Sequence, residues 1–440
     1  MSWKFEHVYD SDGKELTTAA LSTKLDGAAD FCYDGRYVWV SAGSNGVAVY
    51  EFWGENSDNE PAFEDLDKLT YPRYDSGVKK KLRLVTFFKI SGTSVQRVTR
   101  EPSLAEQDAT KTALNDTEFT YYKSTTVPGL VSLNAHYVVY NAGKVYVSNG
   151  ATFTNLFEFD VSSHSFVRVI EVGETYTGLQ NEWFAPGSTY GMNSNLCAAG
   201  GKLWFVGASW GDDAQQRLYS YDPITNTKTT TNIPVRPSRT RTWIADGYNG
   251  YVYITNHNNV SVSKFNVETG AFVKIIRTNA LPKRIFSGPD RRIWVSSFAG
   301  MLTLVDWDDD GVHNNWGTES EVLGFAIDPT DASKAWFVRS NGVLTRMNLN
   351  TNEQFETGAT SNDWNMIHPK ITAPELVMFT RSQVYSTSGG STAEVYPYLF
   401  MLQSGKLLAF RMNKYLYRDV FGEINGQAAV VANALEYFGE

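Results

Sequence analysis

The sequence predicts an all-β protein, a β-propeller with seven blades of four antiparallel strands each, and two observations support this fold class. Aromatic residues make up 14% of the 440 residues, and aromatic side chains are enriched in strands. A short strand centred on an aromatic residue also returns along the chain, and from Tyr253 onward the copies are 41 to 43 residues apart. A period of about 40 to 45 residues without a helical pattern is typical of propeller blades. The seven strand centres are Trp39, Tyr146, Trp204, Tyr253, Trp294, Trp336 and Phe379.

A second strand and its turn repeat in step with the aromatic strand. The clearest copies are RLYSYDPITN (217–226) and VSKFNVETG (262–270), and each ends in residues that favour tight turns. This arrangement resembles YVTN and NHL-like propellers, whereas the repeated Trp-Asp strand end of WD40 proteins and the repeated diglycine of kelch proteins are missing. The resemblance covers residues 134–413 and implies a fold, which by itself implies no function.

Two segments depart from the repeat. Residues 54–133 lengthen the first interval and predict an insertion, within which KLRLVTFFKI and SVQRVTRE form a hairpin across the turn SGTS. At the other end, the apolar residues of GQAAVVANALEYF fall at helical spacing and predict a short closing helix. The predicted organisation is therefore a propeller over residues 1–425 and a helix over 426–440. We also expect a strand from residues 4–9 to close the last blade.

Composition excludes several classes of protein. Lys and Arg number 39 against 48 Asp and Glu, so the basic face needed for general nucleic-acid binding is not expected. Cys32 and Cys197 are too few for a disulfide framework, and we expect two buried thiols, with a single bridge as the alternative. No run of 18 apolar residues predicts a membrane span, and the first residues show no secretion signal.

One acidic loop is a candidate calcium site. Asp306, Asp308 and Asp310 alternate ahead of Gly311, and Asn314 follows at the ninth position of the loop. Calcium takes six to eight oxygen ligands, and alternate carboxylates on a tight loop point toward a common centre. This spacing resembles the calcium loops of integrin-type propellers. The alternative is an acidic turn between two strands. No cofactor is required, and Ca²⁺ is the metal that this pattern favours.

Two sets of residues are candidates for subunit contacts. One is a local basic cluster in an otherwise acidic chain, which we expect to pair with the acidic residues 55–67 of a neighbouring copy. The other is the apolar side of the predicted terminal helix, which packs either under its own propeller or into a partner. The residues are Arg236, Arg239, Arg241, Leu435 and Phe438.

These features favour a non-enzymatic structural or adaptor protein. A rigid disc decorated with loops resembles the propeller components of bacteriophage virions, of tail or nozzle type. That resemblance implies a multi-copy ring with neighbouring virion proteins as partners, made in the host cytoplasm and located in the virion. The first alternative is a metal-dependent enzyme of lactonase or streptogramin-lyase style, for which Glu182, His257 and Asn258 are the available ligands. The second is a receptor- or sugar-binding propeller in which Trp210 and Trp316 stack on a ring.

Overall fold

The structure is a computed structural model of the chain, and it describes most of the repeat region. The described residues are 29–34, 37–44, 46–52, 82–91, 94–99, 120–126, 135–175, 189–207, 216–235, 242–278, 280–287, 292–305, 312–327, 333–340, 344–351, 353–356, 370–371, 378–380, 393–395, 398–403, 406–411, 419–424 and 427–433. Within them, no helix is long and apolar enough to cross a membrane. The predicted closing strand at residues 4–9 lies outside them.

The described chain forms six antiparallel blades, which we number 1 to 6. Blade 1 has six strands in the order of the chain, and blades 2 to 6 have four strands each. Blade 1 contains β1 (Asp30–Tyr33), β2 (Tyr37–Ser41), β3 (Gly46–Phe52), β4 (Leu82–Ser91), β5 (Ser94–Thr99) and β6 (Thr120–Thr126). The predicted hairpin is confirmed as β4 and β5, and β4 also pairs with β3, so it is the fourth strand of this blade.

The other blades follow in chain order, with one short strand pair between blades 2 and 3. Blade 2 contains β7 (Val138–Asn141), β8 (Lys144–Ser148), β9 (Asn155–Asp160) and β10 (Ser165–Glu171), and the pair is β11 (Glu174–Thr175) with β12 (Thr189–Tyr190). Blade 3 contains β13 (Cys197–Ala199), β14 (Lys202–Val206), β15 (Arg217–Asp222) and β16 (Thr227–Asn232). Blade 4 contains β17 (Ile244–Asp246), β18 (Tyr251–Asn256), β19 (Ser261–Asn266) and β20 (Phe272–Arg277), with a 3-10 turn at His257–Asn259. Blade 5 contains β21 (Pro282–Ser287), β22 (Ile293–Ser297), β23 (Met301–Val305) and β24 (Val312–Gly317), and blade 6 contains β25 (Val322–Ile327), β26 (Lys334–Arg339), β27 (Leu344–Asn348) and β28 (Gln354–Glu356).

The seventh blade is a prediction that the structure corrects. After blade 6 the described residues form a three-stranded sheet of β29 (Lys370–Ile371), β32 (Tyr398–Gln403) and β33 (Lys406–Arg411), and β29 lies beside β25. Phe379 lies instead in β30 (Met378–Thr380), which forms a two-stranded sheet with β31 (Ala393–Val395) within the described part of the chain. The physical reason is in the sequence after Phe379. It is rich in Ser, Thr and Gly and lacks the second strand ending in Asp or Asn that follows the aromatic centres of blades 2, 3, 4 and 6.

The prediction of a C-terminal helix is also wrong. Residues 427–433 form a strand, β35 (Gln427–Asn433), which pairs with β34 (Asp419–Ile424). The two residues between these strands are Asn425 and Gly426, the dipeptide that most favours a two-residue hairpin turn. The β-branched pair Val430 and Val431 also favours a strand. Residues 434–440 lie outside the described residues.

The aromatic repeat fills the core of the six blades. The residues at the six confirmed centres all lie on the second strand of their blade, and each is at most 1% exposed. Their neighbours form apolar clusters that each join two successive blades. For example, Trp39 packs with Val47 of blade 1 and Phe159 of blade 2, and Trp294 packs with Phe325 of blade 6. Because the clusters lie between blades, the period-2 pattern buries both faces of each sheet.

The first strands of the blades lie side by side in chain order, β1 beside β7, then β13, β17, β21 and β25. Polar side chains hydrogen bond across this inner ring. The backbone N–H of Val138 donates to the Asp30 carboxylate at 3.1 Å. The Asn195 amide accepts from the Ile244 N–H at 2.8 Å and donates to the Ile244 carbonyl at 2.9 Å. These bonds satisfy inner-strand groups that have no partner within their own sheet.

Candidate functional site

The blade topology gives two faces with different chemistry. Face A carries the connections that lead into each first strand and the turns between second and third strands. Face B carries the turns between first and second strands and those between third and fourth strands. Loops at such faces are the usual place for binding residues on a rigid β scaffold.

Face B is built from a repeated structural turn. In four blades the third strand ends in Asp or Asn, and the side-chain oxygen accepts hydrogen bonds from backbone N–H groups two or three residues further on. The four residues are Asp160, Asp222, Asn266 and Asn348. The Asp and Asn residues of the repeat therefore hold the turn in shape. Asp306 follows β23 at the corresponding place in blade 5.

Charged groups on face B are satisfied within and between blades. Lys144 pairs with Asp160 at 2.7 Å, and this hydrogen bond, with those from Ser163, lowers the pKa of the Asp160 carboxyl well below its usual range. Lys202 of blade 3 donates to the Glu268 carbonyl in a turn of blade 4 at 3.0 Å. Arg168 of blade 2 reaches the Pro223 carbonyl in a turn of blade 3 at 3.1 Å. These contacts stabilise the packing of successive blades.

Face A carries an exposed aromatic group with a cation beside it. Phe298, in the turn between β22 and β23, is 50% exposed. The Lys283 ammonium lies 4.0 Å from the centre of its ring, and the His257 ring packs against it edge-on at 5.1 Å. His257 is held in turn by a 3.0 Å contact between its Nδ1 and the Pro282 carbonyl. Leu281, just ahead of β21, is also largely exposed. We call His257, Leu281, Lys283 and Phe298 the Phe298 corner.

A cluster of charges lies next to the Phe298 corner, where blade 5 meets blade 6. Lys283 pairs with Glu321 at 2.6 Å, and Arg284 approaches the same carboxylate at 3.6 Å. Arg339, at the end of β26, pairs with Glu319 at 2.7 Å. Among the described residues, this cluster brings three cations together with two carboxylates.

Aromatic residues continue this surface toward the inner ring. The Arg284 guanidinium lies 4.7 Å from the Trp243 ring and donates to the Leu323 carbonyl of blade 6 at 2.6 Å. Trp243 in turn contacts Tyr137 of blade 2 edge-on, at 6.4 Å between ring centres. Tyr137 directly precedes β7 and Trp243 directly precedes β17, and β13 lies between these two strands. The contact therefore joins blades 2 and 4, which are not neighbours. Tyr137 is 3% exposed, so this pair of rings packs beneath face A and supports the charged cluster from below.

The residues predicted as calcium ligands remain untested. Asp306, Asp308 and Asp310 lie outside the described residues, and Asn314 lies in β24, opposite Leu304 in the sheet. Among the described residues no group of three His, Cys, Asp or Glu side chains is placed to hold a metal. Calcium binding by this loop stays a prediction.

The other sequence candidates have different outcomes. Arg236, Arg239, Arg241, Leu435 and Phe438 all lie outside the described residues, as do Glu182 and Trp210. Cys32 and Cys197 are buried thiols with no disulfide between them, as expected, and burial raises the pKa of Cys197. Trp316 is 4% exposed and packs on Trp294, so its expected role in stacking on a sugar ring is wrong. His257 and Asn258 lie in the 3-10 turn on face A.

Sequence reasoning did not find the residues that define face A. Lys283, Arg284 and Phe298 belong to no motif, and their partners come from connections of other blades. One signal was present, namely two adjacent cations at the start of a strand whose later residues are apolar. The partners of these two cations can be identified only once the packing of the blades is known.

No protein-family model matches the chain, and no curated protein matches it in sequence. The fold is similar to that of solved β-propellers. A chain in "Crystal Structure of Mitotic Checkpoint Complex" is 10% identical, with 94% of this chain and 96% of that chain covered and a TM-score of 0.53. A chain in "Structure of U3-55K" is 10% identical, with 62% and 77% covered and a TM-score of 0.42. The likeness to the first shows a propeller fold, and the comparisons do not support the expected resemblance to phage virion propellers.

Proposed function

We propose that this chain is a non-enzymatic structural or adaptor protein that binds a partner protein through face A, with Phe298 at the centre of the contact. The observation that carries the proposal is the half-exposed Phe298 ring, held between Lys283 and His257. A large apolar ring exposed at a fixed position loses water on binding without first having to be ordered.

The surroundings of Phe298 support a protein partner. Leu281 adds a second exposed apolar group, and the charged cluster supplies a polar rim. An apolar centre with a polar rim is the usual anatomy of a protein interface, and aromatic and Arg side chains dominate its binding energy. At four described turns of face B, in contrast, the Asp and Asn side chains hold their own backbone.

The experiment compares Phe298→Ser with Ile224→Ser. Ile224 is 86% exposed in the turn between β15 and β16 on face B, so the control removes a similar apolar group from the other face. Tagged full-length proteins are captured from the cells that make the chain, and bound proteins are quantified by mass spectrometry. We expect Phe298→Ser to lower recovery of a specific partner at least about tenfold, as at an interface hot spot, and Ile224→Ser to leave it unchanged. Equal recovery with both variants would contradict the proposal.

A more specific proposal is that the chain assembles as a multi-copy ring in a virion, with copies of itself and virion proteins as neighbours. It rests on the sequence, namely the acidic propeller repeat with a long insertion at residues 54–133. Mass spectrometry of particles purified from the source culture tests it. Fixed stoichiometry with capsid or tail proteins would support it, and the absence of the chain from particles would contradict it.

A further inference from the structure

The outer edge of blade 4 carries aliphatic side chains in water. β20 is the fourth strand of this blade, and among the described strands it pairs with β19 alone. Val273 of β20 is 43% exposed and Ile275 is 38% exposed. Free sheet edges are normally protected from further pairing by charges, prolines or short strands. Two exposed aliphatic residues on such an edge are instead typical of a strand that another strand covers.

The edges of two other blades show the contrast. In blade 3 the fourth strand, β16, has the sequence TKTTTN and contains no aliphatic residue. In blade 1 the fourth strand, β4, is covered by β5, and β6 pairs with β5 in turn. Phe88 of β4 and Val95 of β5 are then 0% and 2% exposed. The chain therefore already extends one blade beyond its fourth strand, and this extension buries apolar side chains.

The backbone of β20 is arranged to accept another strand. The Thr278 N–H donates to the Val260 carbonyl at 2.9 Å, and Arg277 lies opposite Ser261. Bonded and non-bonded pairs alternate along an antiparallel ladder, so the N–H and C=O groups of Ile275 and Arg277 point away from β19. No hydrogen bond from another described backbone group reaches them. These groups form the row of donors and acceptors with which an added strand pairs.

The side chains along this edge define what the added strand would carry. Ile276 packs into the cluster between blades 4 and 5, so Ile275 and Arg277 lie on the other side of the sheet, toward blade 3. Arg277 is exposed and takes part in none of the ion pairs among the described residues. Cross-strand pairs favour an aliphatic residue opposite Ile275 and a carboxylate opposite Arg277.

We propose that the edge of β20 binds an extended segment of a partner protein, which pairs with it antiparallel as a fifth strand of blade 4. The segment carries Asp or Glu opposite Arg277 and, two residues later, Val or Ile opposite Ile275. Backbone hydrogen bonds supply the affinity in this mode of binding, and the alternate side chains supply the specificity. The surface lies on the outer edge of the blade and not at the Phe298 corner, so this inference does not depend on the function proposed above.

Charge favours an acidic segment over a second copy of the same edge. β20 carries two exposed cations, Lys274 and Arg277. Pairing β20 with β20 of another copy would bring the cations of both strands into one short ladder, where like charges are destabilising. A segment with a carboxylate at the matching position removes this repulsion and gains an attraction.

The test uses the full-length chain and a matched pair of proline variants. Ile275→Pro removes an outward N–H of β20 and leaves the hydrogen bonds to β19 in place, and proline is tolerated on edge strands for this reason. Thr230→Pro makes the same change in β16 of blade 3. Thr230 is exposed, and because the Ile233 N–H donates to the Gln216 carbonyl, the alternation directs the Thr230 N–H outward as well.

The probe is a fluorescein-labelled peptide of sequence SETVTVTS, and its counterpart SKTVTVTS has Lys in place of Glu. Binding to the unmodified chain, the two proline variants and Arg277→Glu is measured by fluorescence anisotropy at about 150 mM salt, where long-range charge effects are screened. Amide hydrogen exchange of the unmodified chain, with and without the Glu peptide, locates the bound strand. Arg277→Glu changes only an exposed side chain, so the test remains decisive if Ile275→Pro fails to fold.

We expect Ile275→Pro to weaken binding of the Glu peptide at least about tenfold, because a backbone hydrogen bond is lost and the proline ring obstructs the added strand. Thr230→Pro should stay within about twofold of the unmodified chain. Arg277→Glu should weaken binding of the Glu peptide at least about fivefold and strengthen binding of the Lys peptide. The bound Glu peptide should slow exchange of the Ile275 and Arg277 amides and leave the Thr230 amide unchanged.

Several results would overturn the inference. They are no binding of the Glu peptide to the unmodified chain, equal effects of the two proline substitutions, or no gain for the Lys peptide with Arg277→Glu. A dimer of the unmodified chain in sedimentation that Ile275→Pro abolishes would also overturn it, in favour of a second copy as the occupant. Each of these results leaves the comparison of Phe298→Ser with Ile224→Ser unaffected, so the two proposals fail separately.

Discussion

Substitutions of Asp160 can separate its two roles, which are to hold the turn after β9 and to form an ion pair with Lys144. Its Oδ1 accepts from the Ser163 N–H and from the Ser162 and Ser163 hydroxyls, and its Oδ2 accepts from Lys144. Asn266 and Asn348 hold the same turn in other blades without a negative charge. Asp160→Asn therefore keeps the turn and loses the ion pair, whereas Asp160→Ala loses both.

The expected costs follow from these contacts. The Lys144 side chain is 34% exposed and Asp160 21%, so the ion pair contributes about 0.5 kcal/mol, as for other surface pairs. The turn contributes about 1 to 1.5 kcal/mol, comparable to a side-chain cap with partly exposed hydrogen bonds. We therefore expect Asp160→Asn to cost about 0.5 kcal/mol of unfolding free energy and Asp160→Ala about 2 kcal/mol.

The sign of the pH dependence is fixed by the lowered pKa of Asp160. A carboxyl whose pKa is depressed by folding stabilises the protein above the unfolded pKa of about 3.9, and this stabilisation is lost as the pH falls further. The difference between the unmodified chain and Asp160→Asn should thus be constant from about pH 8 to 5 and shrink below about pH 4.

Urea unfolding of the three proteins, followed by tryptophan fluorescence, measures the difference. Amide hydrogen exchange of the Ser163 N–H reports on the turn directly and should accelerate only in Asp160→Ala. Equal destabilisation by Asp160→Asn and Asp160→Ala would contradict this prediction, because the whole loss of stability would then come from removal of the negative charge.

Three further predictions concern other elements. Asn195→Ala removes both hydrogen bonds to Ile244 between blades 3 and 4 and should cost about 2 kcal/mol in urea unfolding, since two partly buried backbone groups lose their partner; no change would contradict the cross-ring role. Asp34→Ala removes the acceptor of the Trp39 indole N–H at 2.7 Å and should cost about 1 to 2 kcal/mol, with a red-shifted Trp emission as a second readout. Asp308→Ala should lower the melting temperature only when calcium is present, and equal melting with and without calcium would remove the calcium site.

The blades were predictable because their signal is local. The alternation around Trp39, Tyr146 or Trp336 is contained in five or six residues, and burial on both sides of a sheet requires that pattern. The prediction of a blade at Phe379 was wrong because the strand and turn that complete a blade do not follow this residue. The prediction of a terminal helix was wrong because helical spacing in a short segment is a weaker signal than Asn425-Gly426 and the valines that follow, which favour a hairpin.

Face A was not predictable to the same degree. The turn residues of face B are adjacent to the backbone groups they bind, so composition alone indicates them. In contrast, Lys283 meets Glu321 across 38 positions, and Arg339 meets Glu319 across 20. Such contacts depend on how blades 5 and 6 pack, and the sequence contains no fixed spacing for them. Only the general expectation of functional loops on a rigid scaffold was available in advance.

Binding of a partner protein at Phe298 on face A can be tested in the cell by photo-crosslinking. The most direct measurement places a photoreactive benzoyl-phenylalanine at position 298, and in a matched protein at Ile224 on face B, and irradiates both in the cells that make the chain. We expect a discrete covalent adduct with one protein species from position 298 and none from position 224. Adducts formed only from position 224, or from neither position, would contradict it.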